Sequence, residues 1–542
     1  MCRSRIRIFA AALVLSVPAV CQDVPARAAA GFREIQVRNL KADTTFLASE
    51  ALEGRRSLER GSEVAIQFGA AEFAKAGLKP LRGDSYLQPV PLIEYRVDPQ
   101  GTGVTLLRAG ARRTWEYGKD VWGGAPDEVT VSGGVVFAGY GITAPEYHYD
   151  DYAGIDARGK IVLIFDHEPQ ETLPASVFNG VGNTRHANSL VKLLNAQRHG
   201  AVGVLLAGEP NRKHPSTQER MARIPGGAVR MRRLAPQALA DSPARIPLLS
   251  VSDAVAAELL RPSGRTPSEL QAAIDADLKP ASTPLAGVQV EMRIVLEDRH
   301  RGVSANVLGM LEGGDPALKR ETVIFCAHYD HDGRWDGALH PGADDDASGA
   351  AAVLELARAF AANPAPPKRT VVFALWAAEE RGLLGSYYYV AHPWRPLETT
   401  RAVINFDMIG RNEAPSPQTD GFIHIAEDTS NELNLIGTNY TPGYRAAVER
   451  WNRLIGLDLN YKWDKDAALN VFQRSDQFPF ALRDIPAVWW FTGFHPDYHQ
   501  TTDTADKINW VKMEKIVRLA YLAGWEFADG GAPPRFVANP KP

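Results

Sequence analysis

The second half of the chain alternates apolar runs of strand length with helix-like segments, and this alternation constrains the fold more than any other feature. We predict strands at 304–310, 322–327, 370–377, 402–407, 422–426 and 487–491. Helices are predicted at 348–361, 382–391, 444–454 and 513–527. Because strands that alternate with helices form a sheet with helices on its faces, we predict an α/β domain.

The composition is that of an ordinary globular protein. The chain has 542 residues, of which 45% are hydrophobic and 23% charged, and these proportions exclude disordered, collagen-like and coiled-coil chains. The formal net charge is −4, so the chain offers no basic surface for a phosphate backbone and we expect no nucleic-acid partner. At about 150 residues per domain, the length predicts several domains.

The first thirty residues have the three-part layout of a signal peptide. Three arginines within the first seven residues precede an apolar run at 8–20, and an alanine-rich stretch follows at 26–30. We predict that residues 1–30 are a leader, cleaved near Ala28 or Ala30. The apolar run is shorter than the roughly 20 residues that cross a bilayer. We therefore expect an exported protein, periplasmic or secreted, without a stable membrane span.

The remaining sequence divides into four parts. Residues 31–122 contain a helical and then a strand-like stretch, which we assign to the same unit as the second half of the chain. Residues 123–284 have a character of their own, because short β-rich runs are separated by Gly and Pro, and we predict an inserted domain there. Residues 285–530 form the predicted catalytic domain, and 531–542 form a tail.

Residues that can bind metal follow the predicted strands in succession. Ligands gather beyond the carboxyl ends of strands in such sheets, and mixed imidazole and carboxylate ligation suits two zinc ions that share one bridging carboxylate. The five predicted ligands are His328, Asp345, Glu380, Asp407 and His499. Asp330 lies two residues from His328 on an extended strand, so its side chain could accept the imidazole N–H. Glu379, next to a ligand, is free to act as a general base.

Each of these residues alone also has a structural explanation. The three aspartates at 344–346 could cap the helix that follows, and Glu379 with Glu380 could begin another helix in solvent. Asp407 could simply end a strand, and His499 could cap a loop. We base the prediction on the conjunction, because all the required residue types follow strands of one predicted domain.

These motifs resemble the M28 family of zinc aminopeptidases, whose members have a bridged dizinc centre. The resemblance rests on HYDHDG at 328–333, PGADDDASG at 341–349, WAAEERGLLGS at 376–386, NFDMIGR at 405–411 and DYHQTTDT at 497–504. The inserted stretch is similar to the protease-associated (PA) domain found within this family, through FAGYGI at 137–142 and GKIVLI at 159–164.

The resemblance implies a fold and a set of roles. The fold would be that of zinc exopeptidases, a mixed, mostly parallel β-sheet covered by helices, with an inserted β-rich PA domain. Asp345 would bridge the two zinc ions, Glu379 would be the general base, and Tyr498 would hydrogen-bond the developing oxyanion. Because Asp344 stands where relatives often have Asn, the assignment of Asp345 is open to a slip of one residue. An insertion at 333–340 separates the first two ligand motifs and is expected to line or cover the site.

The activity implied is that of a dizinc metallo-aminopeptidase, which hydrolyses N-terminal residues from peptides with a free N-terminus. Three alternatives stay open at this point. One is glutaminyl cyclase-like acyl transfer with a single zinc ion, and another is a carboxypeptidase or dipeptidase with related dizinc chemistry. The third is a non-catalytic, receptor-like binding protein that keeps both domains. The sequence predicts neither a side-chain preference nor an oligomeric state.

Overall fold

The computed structural model describes residues 23–538, apart from residues 109–110, 179–181, 217–218, 220–221, 224–226 and 467. The strands of this described part are, in chain order, β1 (Lys79–Pro80), β2 (Leu87–Val97), β3 (Gly103–Arg108), β4 (Ala111–Glu116), β5 (Val121–Gly123), β6 (Val129–Phe137), β7 (Thr143–Ala144), β8 (Tyr149–Asp150), β9 (Ile161–Phe165), β10 (Gly203–Ala207), β11 (Gln237–Leu239), β12 (Leu248–Val251), β13 (Thr283–Ile294), β14 (Leu296–Leu311), β15 (Thr322–His328), β16 (Gly333–Trp335), β17 (Ala338–His340), β18 (Thr370–Trp376), β19 (Thr400–Phe406), β20 (Glu432–Ile436), β21 (Asp458–Asn460) and β22 (Ala487–Phe491).

The α-helices lie mainly before the first strand and between the strands of the second half. They are α1 (Ala29–Glu34), α2 (Val37–Leu47), α3 (Arg60–Lys75), α4 (Ser189–Arg198), α5 (Gly227–Arg233), α6 (Asp253–Leu260), α7 (Pro267–Asp277), α8 (Gly349–Ala361), α9 (Leu384–Ala391), α10 (Pro442–Ile455), α11 (Gln477–Ala481) and α12 (Trp510–Asp529). None of the helices in the described part is long and apolar enough to cross a membrane.

The larger sheet has the strand order β11-β2-β14-β18-β15-β19-β22-β20-β21, with β1 paired to β14. Its four central strands, β18, β15, β19 and β22, are parallel. The pairings of β14 with β18 and of β20 with β22 on either side are antiparallel. The predicted α/β class with a mixed sheet is therefore confirmed. Three parallel pairings lie at the centre of the sheet, and a fourth, of β20 with β21, lies at one edge.

Helices cover both faces of this sheet, as the burial of β15 illustrates. Val323 and Phe325 belong to the core that also contains residues of α8 and α12, whereas Ile324 and Cys326 belong to a core that contains residues of α9 and α11. Side chains alternate between the faces of a strand, so β15 is apolar on both sides. A buried parallel strand of this kind leaves only its ends for polar chemistry.

The smaller sheet has the order β4-β3-β13-β6-β9-β10-β12-β5. The predicted boundaries of the inserted domain, 123 and 284, do not coincide with the edges of this sheet. It recruits β3, β4 and β5 from residues before 123, and β13 extends to Ile294 and pairs with both β3 and β6. The predicted boundaries were based on Gly- and Pro-rich composition. Local composition does not indicate that β13 pairs with strands far away in the sequence, so the extent of the sheet could not be predicted from it.

One predicted strand is wrong. Residues 422–426 form turns, with Phe422 and Ile423 packed from outside against the core cluster that contains Trp489. The sheet instead gains β20, which the sequence analysis did not predict because Glu432 and Asn434 interrupt its apolar pattern. The other five strands and the four helices predicted in this half are confirmed, with ends shifted by a few residues at most except for β14, which begins earlier.

The predicted leader lies outside the described residues as far as residue 22. Its last residues do pack against the protein, because Ala28 is fully buried and its carbonyl accepts a hydrogen bond of 2.8 Å from the Tyr521 hydroxyl. Cleavage at Ala28 or Ala30 would remove this contact. The leader stays a prediction, and the packing favours cleavage on the N-terminal side of Ala28.

A buried arginine joins the N-terminal helices to the loops around the strand ends. The Arg55 guanidinium donates hydrogen bonds to the carbonyls of Leu47, Tyr329, Pro341 and Gly342 at 2.5–2.9 Å. Burial lowers the pKa of Arg55 to about 10, so the group is still charged at neutral pH. It ties together the chain after β15 and the chain before Asp345.

We predict that Arg55→Met destabilises the protein strongly. The change removes a donor from four carbonyls, of which that of Gly342 also accepts from the Ala347 N–H, and each buried acceptor left unsatisfied costs roughly 1–3 kcal/mol. The expected loss is at least about 3 kcal/mol, seen as a lower midpoint of thermal unfolding by circular dichroism. Arg60→Met is the matched control, because Arg60 is exposed. Equal midpoints for the two variants would contradict the role given to Arg55.

Candidate metal centre

The five predicted ligands come together at the carboxyl edge of the parallel strands. β15 ends at His328, Asp407 follows the end of β19, and Glu380 follows β18 by four residues. Because these strands are parallel neighbours, their ends lie at one edge of the sheet. Asp345 and His499 reach the same edge from loops.

A first group of ligand atoms lies around His328. Its Nε2 is 3.3 Å from Asp345 Oδ1 and 3.8 Å from Asp407 Oδ1. The other oxygen of Asp407 accepts a hydrogen bond of 2.6 Å from Ser475 Oγ. One atom from each of His328, Asp345 and Asp407 falls within 4.8 Å of the other two, a spacing that allows them to hold one metal ion.

A second group faces the other oxygen of Asp345. His499 Nε2 is 3.0 Å from Asp345 Oδ2 and 3.5 Å from Glu380 Oε1. Asp345 thus presents one oxygen to each group. Asp344 is turned away, because its Oδ1 accepts from the Gly410 N–H at 2.6 Å and its Oδ2 is 3.2 Å from His495 Nε2. The geometry therefore favours Asp345 over Asp344 as the shared carboxylate.

Two residues near the second group were missed in the sequence analysis. His331 Nδ1 lies 2.8 Å from Glu380 Oε1 and 3.8 Å from Asp345 Oδ2. Asp332 Oδ2 lies 3.4 Å from His499 Nδ1. The second His-Asp pair within HYDHDG is the pattern that could have identified them, because it repeats the residue types of the first pair.

Asp330 acts differently from the prediction. The imidazole Nδ1 of His328 lies 3.1 Å from the backbone carbonyl of Asp330 and 3.9 Å from its carboxylate. The carboxylate instead accepts the backbone N–H groups of Glu379 and Glu380 at 3.0 and 3.4 Å. Burial raises the pKa of Asp330 to about 6.

The pKa values of Asp345 and Glu379 are shifted in opposite directions. Burial would raise the pKa of Asp345, but the surrounding histidines outweigh burial and hold that pKa well below its ordinary value. Burial, reinforced by the negative charge of Asp407, raises the pKa of Glu379 well above its ordinary value despite the neighbouring His328. Glu379 Oε2 lies 3.8 Å from His328 Nε2 and makes no closer ion pair among the described residues.

The side chains of this edge fit metal ions. Several buried ligand atoms make no hydrogen bond within the described part of the chain: His328 Nε2, Asp345 Oδ2 and Glu380 Oε1, together with both ring nitrogens of His331. Buried polar atoms without partners are costly, and imidazole nitrogen with carboxylate oxygen is a donor set that zinc prefers. Metal ions bound between the two groups would give these buried nitrogen and oxygen atoms the partners that they lack among the described residues.

The inserted segment contributes Arg230, from α5, to this centre. Its guanidinium donates to both oxygens of Asp332 at 2.5 and 2.7 Å and to Glu380 Oε2 at 2.8 Å. Arg230 also lines a cavity of about 840 Å³ that opens beside Glu380 and is bordered by Tyr95, Tyr117 and Trp122. Of the five predicted ligands, Glu380 borders this cavity.

Two predicted features surround His499. The hydroxyl of Tyr498 accepts a hydrogen bond of 3.2 Å from Arg474, and its ring centroid lies 3.9 Å from that of His499. The insertion at 333–340 forms the hairpin of β16 and β17. His340 at its end contacts the His499 carbonyl through Nδ1 at 3.2 Å. The hairpin therefore supports the loop that carries His499.

A mixed α/β sheet with two adjacent groups of histidine and carboxylate at its strand ends defines a metal-binding α/β domain. Residues 306–523 match the model of peptidase family M28. This part of the chain is therefore similar to peptidase family M28.

Relatives with assigned names match over parts of their length. A probable lipoprotein aminopeptidase, LpqL, of Mycobacterium tuberculosis is 29% identical over 316 residues, which are 54% of this chain and 55% of the relative. Leupeptin-inactivating enzyme 1 of Streptomyces exfoliatus is 32% identical over 203 residues, 37% of this chain and 38% of the relative. The chain thus spans about half or less of the length of these relatives.

Solved structures align over nearly the whole chain. The aminopeptidase from Aneurinibacillus sp. strain AM-1 aligns with a TM-score of 0.49 at 20% identity, over 95% of this chain and 98% of that one. The zinc aminopeptidase BSAP from Bacillus subtilis aligns with a TM-score of 0.44 at 19% identity, over 96% of this chain and 99% of that one.

We predict that Arg230→Met weakens binding of the second metal ion about 10–100-fold, because Arg230 orients the ligand Glu380 and its neighbour Asp332. Zinc titration of the metal-free protein measures this affinity. Arg233→Met is the matched control. Arg233 lies on the same helix but is exposed, and its ion pair among the described residues is with Asp336. Loss of affinity in both variants alike, or in neither, would contradict the role of Arg230.

Proposed function

We propose that the chain is a dizinc aminopeptidase that removes N-terminal residues from peptides. The observation that carries the proposal is the position of Asp345, whose two oxygens face separate histidine–carboxylate groups. A carboxylate in this position can bridge two ions about 3.5–4 Å apart, the spacing used in two-metal hydrolysis.

His328, Asp345 and Asp407 would hold one ion, and Asp345, Glu380 and His499 would hold the other. His331 adjoins the second set through Glu380. When bound, zinc ions polarise the scissile carbonyl and lower the pKa of a bound water molecule towards neutrality. Side chains of the protein would carry out the proton transfer and stabilise the oxyanion.

Glu379 is the proposed general base. Its carboxylate takes a proton from the attacking water and later delivers it to the leaving amine, so one group serves both halves of the reaction. Asp330 is a positioning residue, because its carboxylate holds the backbone N–H groups of Glu379 and Glu380. The Tyr498 hydroxyl would donate a hydrogen bond to the oxyanion that develops on the carbonyl.

The charge of the centre supports a substrate with a free amino terminus. Asp332, Asp345, Glu379, Glu380 and Asp407 are all buried or nearly buried around it. Arg230 pairs with Asp332 and with one oxygen of Glu380, so the preference would come from individual carboxylates and not from the net charge. A cationic α-amine can form an ion pair with such a carboxylate, whereas an acetylated amine cannot. The adjoining cavity could receive the peptide.

The N-terminal segment and the domain built on the smaller sheet would have supporting roles. Residues 1–30 would direct export to the periplasm or the medium. The domain built on the smaller sheet would be of the PA type, beside the catalytic domain of peptidase family M28. Three functions compete with this proposal: glutaminyl cyclization, trimming from the carboxyl end and binding without catalysis. One peptide experiment distinguishes all of them from aminopeptidase activity.

The experiment uses zinc-loaded protein and matched peptides with free, N-acetylated or C-amidated ends, analysed by mass spectrometry. We expect stepwise loss of N-terminal residues from every peptide with a free amine, whether or not its carboxyl end is amidated. N-acetylated copies should be untouched, and a chelator should abolish the activity until zinc is restored. Ammonia loss from N-terminal Gln, trimming from the carboxyl end, or no change at all would each refute the proposal in favour of one competitor.

A substitution of the proposed base gives a second prediction. Glu379→Gln keeps the size of the side chain but cannot accept the proton, so kcat should fall about 10²–10⁴-fold while zinc content stays unchanged. Glu398→Gln, at an exposed position, is the matched control and should leave kcat at the wild-type value. Wild-type turnover by zinc-loaded Glu379→Gln would remove Glu379 from the mechanism.

A further inference from the structure

We propose that the inserted domain contains a separate divalent-cation site, formed by His167, Glu171, Glu209 and His214, whose donor set suits zinc. These residues lie apart from the predicted ligands in the sequence and belong to loops of the smaller sheet. The proposal does not depend on the activity proposed above.

The sheet topology brings the four residues together. β9 ends at Phe165 and β10 ends at Ala207, and the two strands are parallel neighbours. His167 and Glu171 follow the first strand, whereas Glu209 and His214 follow the second. The cluster thus lies at the carboxyl edge of parallel strands, the same kind of position that the catalytic ligands occupy in the larger sheet.

The ligand atoms converge on a common point. His214 Nε2 lies 2.7 Å from Glu171 Oε1 and 2.7 Å from Glu209 Oε1. His167 Nδ1 lies 3.0 Å from Glu171 Oε2 and 3.9 Å from Glu209 Oε1. One atom from each residue falls within 4.8 Å of all the others. Two imidazole nitrogens and two carboxylate oxygens make a complete tetrahedral set for zinc.

The contact between His167 Nδ1 and Glu171 Oε2 has hydrogen-bond geometry, but the short contacts of His214 Nε2 do not. His214 Nε2 and Glu209 Oε1 are buried and, despite their short separation, neither has a partner with hydrogen-bond geometry in the described part of the chain. The side chains of His167 and Glu209 are 9% and 2% exposed. Ligand atoms that lie this close without forming a hydrogen bond are placed to bind one cation in common.

His214 is held with Nε2 facing the cluster, beside the ring of His167. The two rings stack at a centroid distance of 4.2 Å and an angle of 13°. The outer nitrogen of His214, Nδ1, lies 3.0 Å from the Pro215 carbonyl, a contact in which it can donate. An outer N–H bonded to a carbonyl leaves the inner nitrogen with its lone pair free, as in many metal-ligating histidines.

A cation here would also connect the two domains. The outer nitrogen of His167 lies 3.1 Å from the side-chain amide of Asn470, which belongs to the catalytic domain. A cavity of about 530 Å³ reaches the cluster and is lined on its other side by Asn470 and Gln473. Two residues further, Ser475 holds the ligand Asp407. We infer that the ion fixes the inserted domain against the segment that positions Asp407.

The competing explanation is a set of ion pairs without metal. Burial disfavours a charged His214, but its contacts with Glu171 and Glu209 outweigh burial and raise its pKa to about 10. A protonated His214 would then take the place of the cation. The two explanations differ in a quantity that can be counted, the number of ions bound by the folded protein.

The test measures zinc per protein by elemental analysis after saturation and removal of excess metal. His214→Gln and Glu209→Gln should each bind one ion fewer than the wild-type protein. His199→Gln is the matched control, because His199 lies in the same domain and stacks on Tyr152 away from the cluster. It should bind as many ions as the wild type. The result is a difference between variants, so it holds whatever the catalytic stoichiometry or activity is.

A second measurement guards against a variant that fails to fold. Circular dichroism of each variant must match the wild type for its metal count to be used, and Glu209→Gln preserves the shape of the side chain. In crystals of the wild-type protein, zinc-edge anomalous scattering should give a peak between the four side chains. Equal zinc content in the wild type and the folded variants, or no anomalous peak at the cluster, would overturn the proposal.

Discussion

Burial of carboxylates at the carboxyl edge of the larger sheet is the constraint on which the rest of the structure depends. The parallel strands β15, β18 and β19 are apolar on both faces, so their polar residues collect where the strands end. A buried charge is tolerated only when it is paired and hydrogen-bonded. Arg55 supports the loops, and Arg230 pairs with Asp332 and Glu380. In the part of the chain that the structure describes, His328 Nε2, Asp345 Oδ2 and Glu380 Oε1 make no hydrogen bond, and these atoms have the chemistry of metal ligands.

The same constraint explains how much the sequence could predict. Strand ends are visible as apolar runs that stop close to His, Asp or Glu, so His328, Glu380 and Asp407 could be chosen as candidate ligands. Asp345 and His499 lie on loops and were chosen by residue type and motif, and the structure brings the five candidates together. The acceptor of His328 Nδ1 was mistaken: it is the carbonyl of Asp330, whose carboxylate accepts backbone N–H groups of Glu379 and Glu380, and these lie about fifty residues later in the chain. Arg230 was missed for another reason. It reaches Glu380 from a helix 150 residues earlier, and no local pattern marks such a contact.

The inserted domain is more closely tied to the catalytic domain than a change in composition suggests. Its longest strand, β13, is followed almost directly by β14 of the larger sheet, and β11 from the same stretch of sequence pairs with β2. Arg230 and His167 each contact the catalytic domain, at the metal-ligating edge and at Asn470. A contact at each end of the interface would restrict how the two domains move and so help to define the cavity beside Glu380.

The central claim is that Asp345 bridges two zinc ions. Zinc X-ray absorption spectroscopy of the loaded protein tests it most directly, because fine structure reports the distance between neighbouring metal ions. The account predicts metal–metal scattering at about 3.5–4 Å, which Asp345→Asn should weaken or abolish. Full zinc loading without any metal–metal scattering would contradict the account, because the ions would then lie in sites that share no ligand.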